Sequence, residues 1–335
     1  MVEATASRRG ASAQMGLEAA FRDDRGFLLG VLYRLVGSVS DAEDLVQATF
    51  ERALERPPAD TQRAWRPWLM QVALNLGRDH LRRRRRRRYD GPWLPGPVET
   101  PEGELPFGVA EPADTQGRYE RMESISFAFL LALEGLTPTQ RAVLLLREVF
   151  EYDGRETAKA IGITETNVRQ HLRRARRAMQ AYERDREQVR GPSPDEARDL
   201  IGRFLLAVAQ GDVGAVEAML MEDIVLLNDA GGEFHAARLP VYGANKVARF
   251  FVNVSRLSGP PSVSIRRVNG LPAVVMDLSA PRPGIAPRVV TLGELGTDGR
   301  FRRMWSVLAR RKLEGLDTQL QLGRTVPSWY HLGTP

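Results

Sequence analysis

A turn between two helical patterns, near the middle of the chain, restricts the fold more than any other sequence feature. In "GRETAKAIGIT", the small Ala158 lets two helices cross closely, and Gly162 permits a left-handed turn. Thr164 is placed to cap the helix that follows. Apolar residues then recur at helical spacing, at Val168, Leu172, Ala175 and Met179. The stretch predicts a helix-turn-helix.

The opposite face of the second helix is rich in arginine. It carries Arg169, Gln170, Arg173, Arg174, Arg176 and Arg177. Arginine can grip guanine with two hydrogen bonds in the major groove, and glutamine can grip adenine. A charge run on a helix is often only a solvated surface, but here the turn, the cap and the charged face agree. We therefore expect this helix to bind DNA.

Basic charge is concentrated in particular segments of the chain. The 335 residues carry a formal net charge of +6, yet residues 1–90 alone carry +5 and residues 91–118 carry −4. Local basic surfaces attract polyanions such as nucleic acid. The absence of cysteine excludes disulfides, thiolate zinc sites and a thiol nucleophile. Because no signal-peptide pattern and no apolar run of about 18 residues is present, we expect a soluble, cytoplasmic protein without a membrane partner.

The first part of the chain has the periodicity of helices. Apolar stripes run through residues 17–56 and about 65–86. Ser40, followed three residues later by Glu43, has the pattern of a capping box and predicts where a helix begins.

Aromatic and basic residues are combined in the helix predicted at 65–86. Trp65 and Trp68 lie near its start, and seven consecutive arginines, 82–88, lie at its end. We expect Trp65 to pack in the core. Basic charge neutralises phosphates and aromatic rings stack on unpaired bases, so the segment suits a surface that holds melted DNA, where Asn75 could read a base edge.

Composition divides the chain into domains. After residue 195, two helical segments precede several strand-like runs separated by turn residues, the last being "FRRMWSVLARRKL", which indicates an α+β domain. The predicted fold is multidomain: an all-α domain at 1–90, an acidic Pro/Gly-rich linker at 91–118, an all-α helix-turn-helix domain at 119–190, an α+β domain at 195–312 and a tail at 313–335.

Several stretches together resemble an extracytoplasmic-function (ECF) sigma factor. "YRLVGSVSDAEDLVQATFERAL" and "RPWLMQVALNLGRDHLRR" resemble sigma region 2, and "LTPTQRAVLLLREVFEYDGRETAKAIGITETNVRQHLRRARRAM" resembles region 4. The linker motif "YDGPWLPGP" and "DAGGEFHAARLPVYG" are similar to the subgroup with a SnoaL-like C-terminal extension, an NTF2-like cone.

The resemblance implies partners and site residues. The partners are the clamp and flap regions of core RNA polymerase, promoter DNA, and the chain's own sigma domains, which the extension would contact; the linker would pass near the RNA exit path. The residues implied for polymerase binding are Asp41, Glu43, Asp44, Gln47 and Glu51. Those implied for the −10 element are Arg63, Trp68, Asn75, Arg78 and Asp79. Those implied for the −35 element are Arg169, Gln170, Arg173, Arg174 and Arg177.

Two interpretations apply to the SnoaL-like extension. As an enzyme, it could use a carboxylate near a histidine as general base, with Asp229, His235 and Asp277 as candidates. As a regulatory domain, it would use the motif residues Asp229, Gly231, Gly232 and His235 for a pocket or a domain contact. We favour regulation, with no catalytic activity, no cofactor and no metal.

Two other functions remain open from the sequence. One is a helix-turn-helix repressor that dimerises through residues 17–88. The other is an isomerase or cyclase fused to a DNA-binding module, that is, a helix-turn-helix regulator fused to a ligand-binding or isomerase/cyclase-like domain.

Overall fold

The computed structural model describes residues 2–61, 63–87, 89–100, 124–186, 189–190, 193–258, 261–279 and 281–321. Two compact units share these residues. The first unit comprises residues 1–88 and 103–180, and the second comprises residues 89–102 and 181–335. Among the described helices, none is long and apolar enough to cross a membrane.

Helices alone build the first unit. In chain order they are α1 (Val2–Val36), α2 (Val39–Glu55), α3 (Arg66–Arg86), α4 (Phe127–Ala132), α5 (Pro138–Leu144), α6 (Gly154–Ile161) and α7 (Glu165–Arg186). A 3₁₀ turn, Leu133–Gly135, follows α4, and a π turn, Leu145–Val149, follows α5. Both predicted all-α domains are therefore present, and they pack together in this unit.

The start of α2 differs from the prediction. Ser38, and not Ser40, is the N-cap, and its side chain accepts a hydrogen bond from the backbone N–H of Asp41 at 3.3 Å. Ser40 is buried, with its hydroxyl 3.3 Å from that of Ser38. The predicted capping box is wrong because Gly37 adopts a positive φ of 76°, which lets the helix begin two residues earlier.

The helix-turn-helix forms as predicted. Asp153 and Glu156 make a reciprocal capping box at the start of α6. Gly162 ends that helix in the left-handed conformation, with φ 72°. Thr164 then accepts a hydrogen bond from the backbone N–H of Asn167 at 3.2 Å, which caps α7.

The second unit is an α+β domain. Its elements are β1 (Val189–Arg190), α8 (Pro194–Gln210), α9 (Val213–Ala218), β2 (Leu220–Asp229), β3 (Val241–Tyr242), α10 (Ala244–Ser258), β4 (Ser262–Val268), β5 (Leu271–Asp277), β6 (Arg288–Gly296), β7 (Phe301–Val307) and α11 (Arg310–Gln321). The sheet order is β3-β2-β7-β6-β5-β4, with β1 beside β6. Only the β2–β7 pair is parallel among the described strands.

One face of the sheet packs against helices to form the core of the second unit. The core includes Phe204 on α8 and Val252 on α10, together with Leu226 and Met304 on adjacent strands. Phe204 also makes edge-to-face ring contacts with Phe251 and Phe301, at 5.2 and 5.6 Å.

The last predicted strand is too long. β7 ends at Val307, and helix α11 begins at Arg310. The backbone N–H groups of Leu308 and Ala309 both donate to the carbonyl oxygen of Asp229, at 2.7 and 3.1 Å. This pairing turns the chain away from the sheet, so that "ARRKL" starts a helix.

The predicted linker and tail are described only in part. The segment 89–100 lies within the second unit, and residues 94–98 are buried. The remainder of the linker, 101–118, the first residues of the predicted helix-turn-helix domain, 119–123, and most of the predicted tail lie outside the described residues.

Candidate functional site

The predicted −35-binding residues share one exposed surface. Arg169, Gln170, Arg173, Arg174 and Arg177 all lie on α7 with exposed side chains. The opposite face packs inward through Val168, Ala175 and Met179. One side of α7 therefore packs in the core, and the other exposes its guanidinium groups to solvent.

Arg174→Ala tests whether this surface reads bases. If Arg174 bonds a guanine with two hydrogen bonds, its loss should weaken binding to promoter DNA by about 1–3 kcal/mol. The measurement is fluorescence anisotropy with matched and scrambled −35 duplexes, and Arg155→Ala, an exposed arginine on α6, is the control. An equal loss on both duplexes would reassign Arg174 to phosphate contact.

The predicted polymerase-binding residues divide into two groups on α2. Asp44, Gln47 and Glu51 are exposed, and the Gln47 amide donates to Glu51 at 2.8 Å. Asp41 and Glu43 are half-buried. The Asp41 carboxylate lies 3.6 Å from His80, and the Glu43 carboxylate lies 3.9 Å from Arg25. The exposed group forms the acidic and polar face that a partner can reach.

The predicted −10-binding residues are not equally accessible. Arg63, Asn75 and Asp79 are exposed, and Trp68 is half-buried against Trp65, which lies in the core as predicted. Arg78 differs, because it is only 9% exposed and donates to the carbonyl oxygen of Ile161, at the end of α6, at 2.7 Å.

Two members of the arginine run also make internal contacts. Arg84 donates to the carbonyl oxygen of Val36 at 2.8 Å and pairs with Glu134. Arg85 donates to the carbonyl oxygen of Leu136. These two side chains therefore satisfy backbone carbonyls within the unit, which the run of charge by itself does not predict.

Burial changes the pKa of three basic groups in the first unit. The pKa of Arg78 is lowered, first by burial and then by Arg82. The pKa of Arg141 is lowered to about 10, chiefly by burial and against the opposing effect of Glu134. The pKa of His171, on α7, is lowered by burial and by the charges of Arg174 and Arg78. All three environments disfavour additional positive charge.

A polar cluster in the second unit is centred on Asp229. Asp229 is completely buried, and its carboxylate accepts hydrogen bonds from the Tyr89 hydroxyl at 2.5 Å, the Leu94 backbone N–H at 2.7 Å and the Gly231 backbone N–H at 3.1 Å. It also pairs with Lys312, which is itself 8% exposed. The carboxylate thus joins the linker segment 89–100, the β2 turn and α11.

Lys312 is enclosed by the linker segment 89–100. Its ammonium lies 4.1 Å from the ring centroid of Trp93 and 4.8 Å from that of Tyr89, and it donates to the carbonyl oxygen of Leu94 at 2.6 Å. Two aromatic faces and a carbonyl provide a desolvated cation with the partners that it needs. We call Tyr89, Trp93, Leu94, Asp229 and Lys312 the linker cluster.

Glycines make room for this segment. A side chain at Gly231 would come within 3.3 Å of the Tyr89 hydroxyl, and one at Gly232 would come within 3.4 Å of Asp90. Both glycines also have positive φ, 58° and 80°. The two glycines of the motif "DAGGE" therefore allow residues 89–90 to pack closely against this turn.

A second contact fixes the same segment at the sheet edge. Thr100 N–H donates to the carbonyl oxygen of Arg267 at 2.9 Å, and Asn269 N–H donates to that of Val98 at 2.8 Å. The Asn269 side chain in turn accepts from Val98 N–H at 2.9 Å. Residues 98–100 thereby extend the end of β4 in the manner of an added strand.

Each of the three proposed acid–base residues contacts other groups in the structure. Asp229 is occupied by the linker cluster, and Asp277 pairs with Arg288 at 2.6 Å. His235 is exposed and lies against Gly284. In the part of the chain that the structure describes, no group of three or more acidic and histidine side chains could hold a metal ion.

Sequence reasoning missed Lys312 and the roles of Tyr89 and Trp93. The motif "YDGPWLPGP" was the available signal, because two aromatics among prolines in an acidic linker have no reason to stay solvated. The partner lies more than 200 residues away along the chain, and no local pattern identifies it.

Comparison with known proteins identifies the two helical domains. Residues 20–87 match the family described as Sigma-70 region 2, and residues 126–179 match Sigma-70, region 4. An all-α region 2 combined with a helix-turn-helix region 4 defines a sigma factor.

Similar proteins extend the match to nearly the whole chain. The ECF RNA polymerase sigma factor SigJ of Mycobacterium tuberculosis is 32% identical over 301 residues, which cover 87% of this chain and 91% of SigJ. The probable ECF RNA polymerase sigma factor SigI of the same species is 28% identical over 83% of this chain and 90% of SigI. The crystal structure of SigJ covers 89% of this chain and 98% of its own, with a TM-score of 0.63 and 29% identity.

The chain belongs to the ECF sigma factor family. As a sigma factor it binds core RNA polymerase and promoter DNA.

Proposed function

We propose that this sigma factor contains its own regulatory domain, which acts by holding the start of the linker between regions 2 and 4. The linker cluster is the observation that carries the proposal. Because the held segment directly follows α3 of region 2 and leads towards region 4, its attachment limits how far the two DNA-binding regions can separate.

The chemistry of the linker cluster suits a holding site better than a catalytic one. A general base needs a free lone pair directed at a substrate proton. The carboxylate of Asp229 instead receives three hydrogen bonds and a lysine, and the Trp93 and Tyr89 rings cover that lysine. We propose that the α+β domain has no catalytic activity and that the Asp229, Gly231 and Gly232 turn recognises the linker.

The surfaces of the first unit supply the remaining functions. The exposed face of Asp44, Gln47 and Glu51 suits the clamp of the polymerase by charge complementarity, and region 4 would meet the flap. Arg169, Gln170, Arg173, Arg174 and Arg177 would read the −35 element, and Arg63, Trp68, Asn75, Arg78 and Asp79 would capture a −10 base. The site of action is then the cytoplasm, where the polymerase works.

Trp93→Ala tests regulation through the linker. The substitution removes one cation–π contact, worth about 0.5–2 kcal/mol, without touching the sheet core. If attachment limits initiation, transcript yield should rise about 2- to 30-fold, the corresponding shift in equilibrium. The assay is in vitro transcription with core polymerase, the full-length chain and its own upstream DNA.

Tyr242→Ala is the matched control, because Tyr242 is an aromatic residue of the same domain with 61% exposure. Unchanged yield from Trp93→Ala would contradict regulation by attachment. Failure of the unsubstituted chain to start any transcript would contradict the promoter-specific function itself.

A further inference from the structure

We propose that the α+β domain itself contacts DNA, through a basic face of helix α10 that binds the phosphate backbone of duplex DNA at the promoter. The face consists of Lys246, Arg249, Asn253 and Arg256, and we call it the α10 basic face. The inference adds a DNA contact to those proposed for regions 2 and 4, and it does not depend on the linker cluster.

The four residues of the α10 basic face lie on one side of the helix. They follow one another at intervals of three and four residues, so their side chains project in similar directions. All four side chains are exposed. The other side of α10 is buried in the domain core through Val247, Ala248 and Val252, so the orientation of the helix is fixed by packing.

Carboxylates do not balance the charge of this face in the part of the chain that the structure describes. The sequence of α10, "ANKVARFFVNVSRLS", contains no aspartate or glutamate. On α9, which packs against α10, the Glu217 carboxylate accepts a hydrogen bond from the Asn245 amide at 2.8 Å. Among the described residues, no carboxylate lies within 4.0 Å of the basic groups of Lys246, Arg249 or Arg256.

Other exposed arginines of the same domain lie beside carboxylates that are close in sequence. Arg198 pairs with Asp195 at 3.2 Å, Arg203 with Asp199 at 3.0 Å, and Arg300 with Asp298 at 2.8 Å. Each of these pairs cancels its own charge locally, whereas the α10 basic face keeps three positive charges on one surface. A surface with charge of one sign attracts a polyanion.

The length of the α10 basic face matches several phosphates of one DNA strand. Lys246 and Arg256 are ten residues apart, which corresponds to about 15 Å of helix at ~1.5 Å per residue. One strand of B-DNA places a phosphate at every ~3.4 Å of duplex axis, so about four phosphates lie along this length. The lysine and the two arginines supply the charge, and the Asn253 amide supplies a neutral donor to the same backbone.

The balance of charge and apolar area on α10 favours DNA over a membrane surface. A helix that binds at a membrane surface buries its apolar face in the lipid. The main apolar face of α10 instead packs in the protein core, and Val254 and Leu257 are the large apolar side chains that the helix leaves exposed, at 39% and 56%. Charge therefore dominates the accessible surface, and a sigma factor already brings its domains to promoter DNA.

The salt dependence of DNA binding tests the inference. Lys246→Gln, Arg249→Gln and Arg256→Gln are combined in the full chain, which is bound to core polymerase and titrated with its own upstream DNA. Each lost phosphate contact lowers the slope of log affinity against log salt by about 0.9. We expect the slope to fall by about 2–3, so that between ~50 and ~200 mM salt the parent complex loses about 10- to 40-fold more affinity than the variant.

A variant with the same loss of charge is the control. Arg198→Gln, Arg203→Gln and Arg300→Gln remove three positive charges from the same domain, at exposed arginines that carboxylates already pair. The slope of this control should stay at the parent value. Equal slopes for the α10 variant and the control would overturn the inference, whatever the transcript yields of the two proteins, so the result is independent of regulation through the linker.

Two further measurements keep the test decisive. If circular dichroism shows that the combined α10 variant loses helix, the three single substitutions replace it, and each should lower the slope by about 0.9. Flotation with vesicles of anionic phospholipid tests the membrane alternative. Vesicle binding that the α10 variant loses, together with a parent slope on DNA, would overturn the inference and assign the face to a membrane.

Discussion

Replacing Lys312 with methionine is expected to destabilise the second unit by about 3–5 kcal/mol. The substitution leaves the fully buried carboxylate of Asp229 without its cation and removes the donor to the Leu94 carbonyl. It also removes the cation enclosed by Trp93 and Tyr89. The measurement is urea unfolding of the full chain followed by tryptophan fluorescence.

Two companion variants sharpen this prediction. Lys246→Met changes an exposed lysine of the same domain and should stay within about 0.5 kcal/mol of the parent chain. Asp229→Asn combined with Lys312→Met should recover part of the loss, because the unpaired charge is then gone. If Lys312→Met unfolds like Lys246→Met, the linker cluster contributes nothing to stability.

The second large effect is expected for Arg141→Met, which should destabilise the first unit by about 3–5 kcal/mol. Methionine fills similar space but leaves Glu134 with one cation fewer and leaves the carbonyls of Leu35 and Leu133 without their donor. Thermal unfolding followed by helical circular dichroism measures the loss.

Comparison with an exposed arginine isolates the effect of burial. Arg155→Met, on α6, should cost no more than about 0.5 kcal/mol. Arg141→Lys should recover only part of the stability, because an ammonium cannot reproduce the planar fork that reaches two carbonyls and a carboxylate. Equal midpoints for the Arg141 and Arg155 variants would show that the buried network is not needed for folding.

Local patterns predicted the features that depend on neighbouring residues. The apolar stripe of α7, the left-handed Gly162 and the Thr164 cap are all set within a few residues, and each is present. The burial of Trp65 follows from the same periodicity. Where local signals competed, as for Ser38 and Ser40, the positive φ of Gly37 accompanies the earlier start of the helix at Ser38.

Charge was the weakest guide to function. Arg84 and Arg85 look like their neighbours in the run 82–88, yet they bind the carbonyls of Val36 and Leu136, and Arg78 binds that of Ile161. An arginine that meets DNA and one that caps a distant helix have the same local sequence. Only the packing of α3 against α5 and α6 distinguishes them.

The resemblance of several sequence stretches to ECF sigma factors was enough to predict the class of protein. The two helical domains and the arginine face of α7 were also predictable, because helical periodicity, caps and turns are encoded within one or two turns of chain. Tertiary structure alone decided that residues 89–100 pack on the α+β domain, that Lys312 neutralises Asp229 and that Glu134 joins two arginines. The physical reason is that a buried charge is tolerated only beside its partner, and the partners here come together only once the chain has folded.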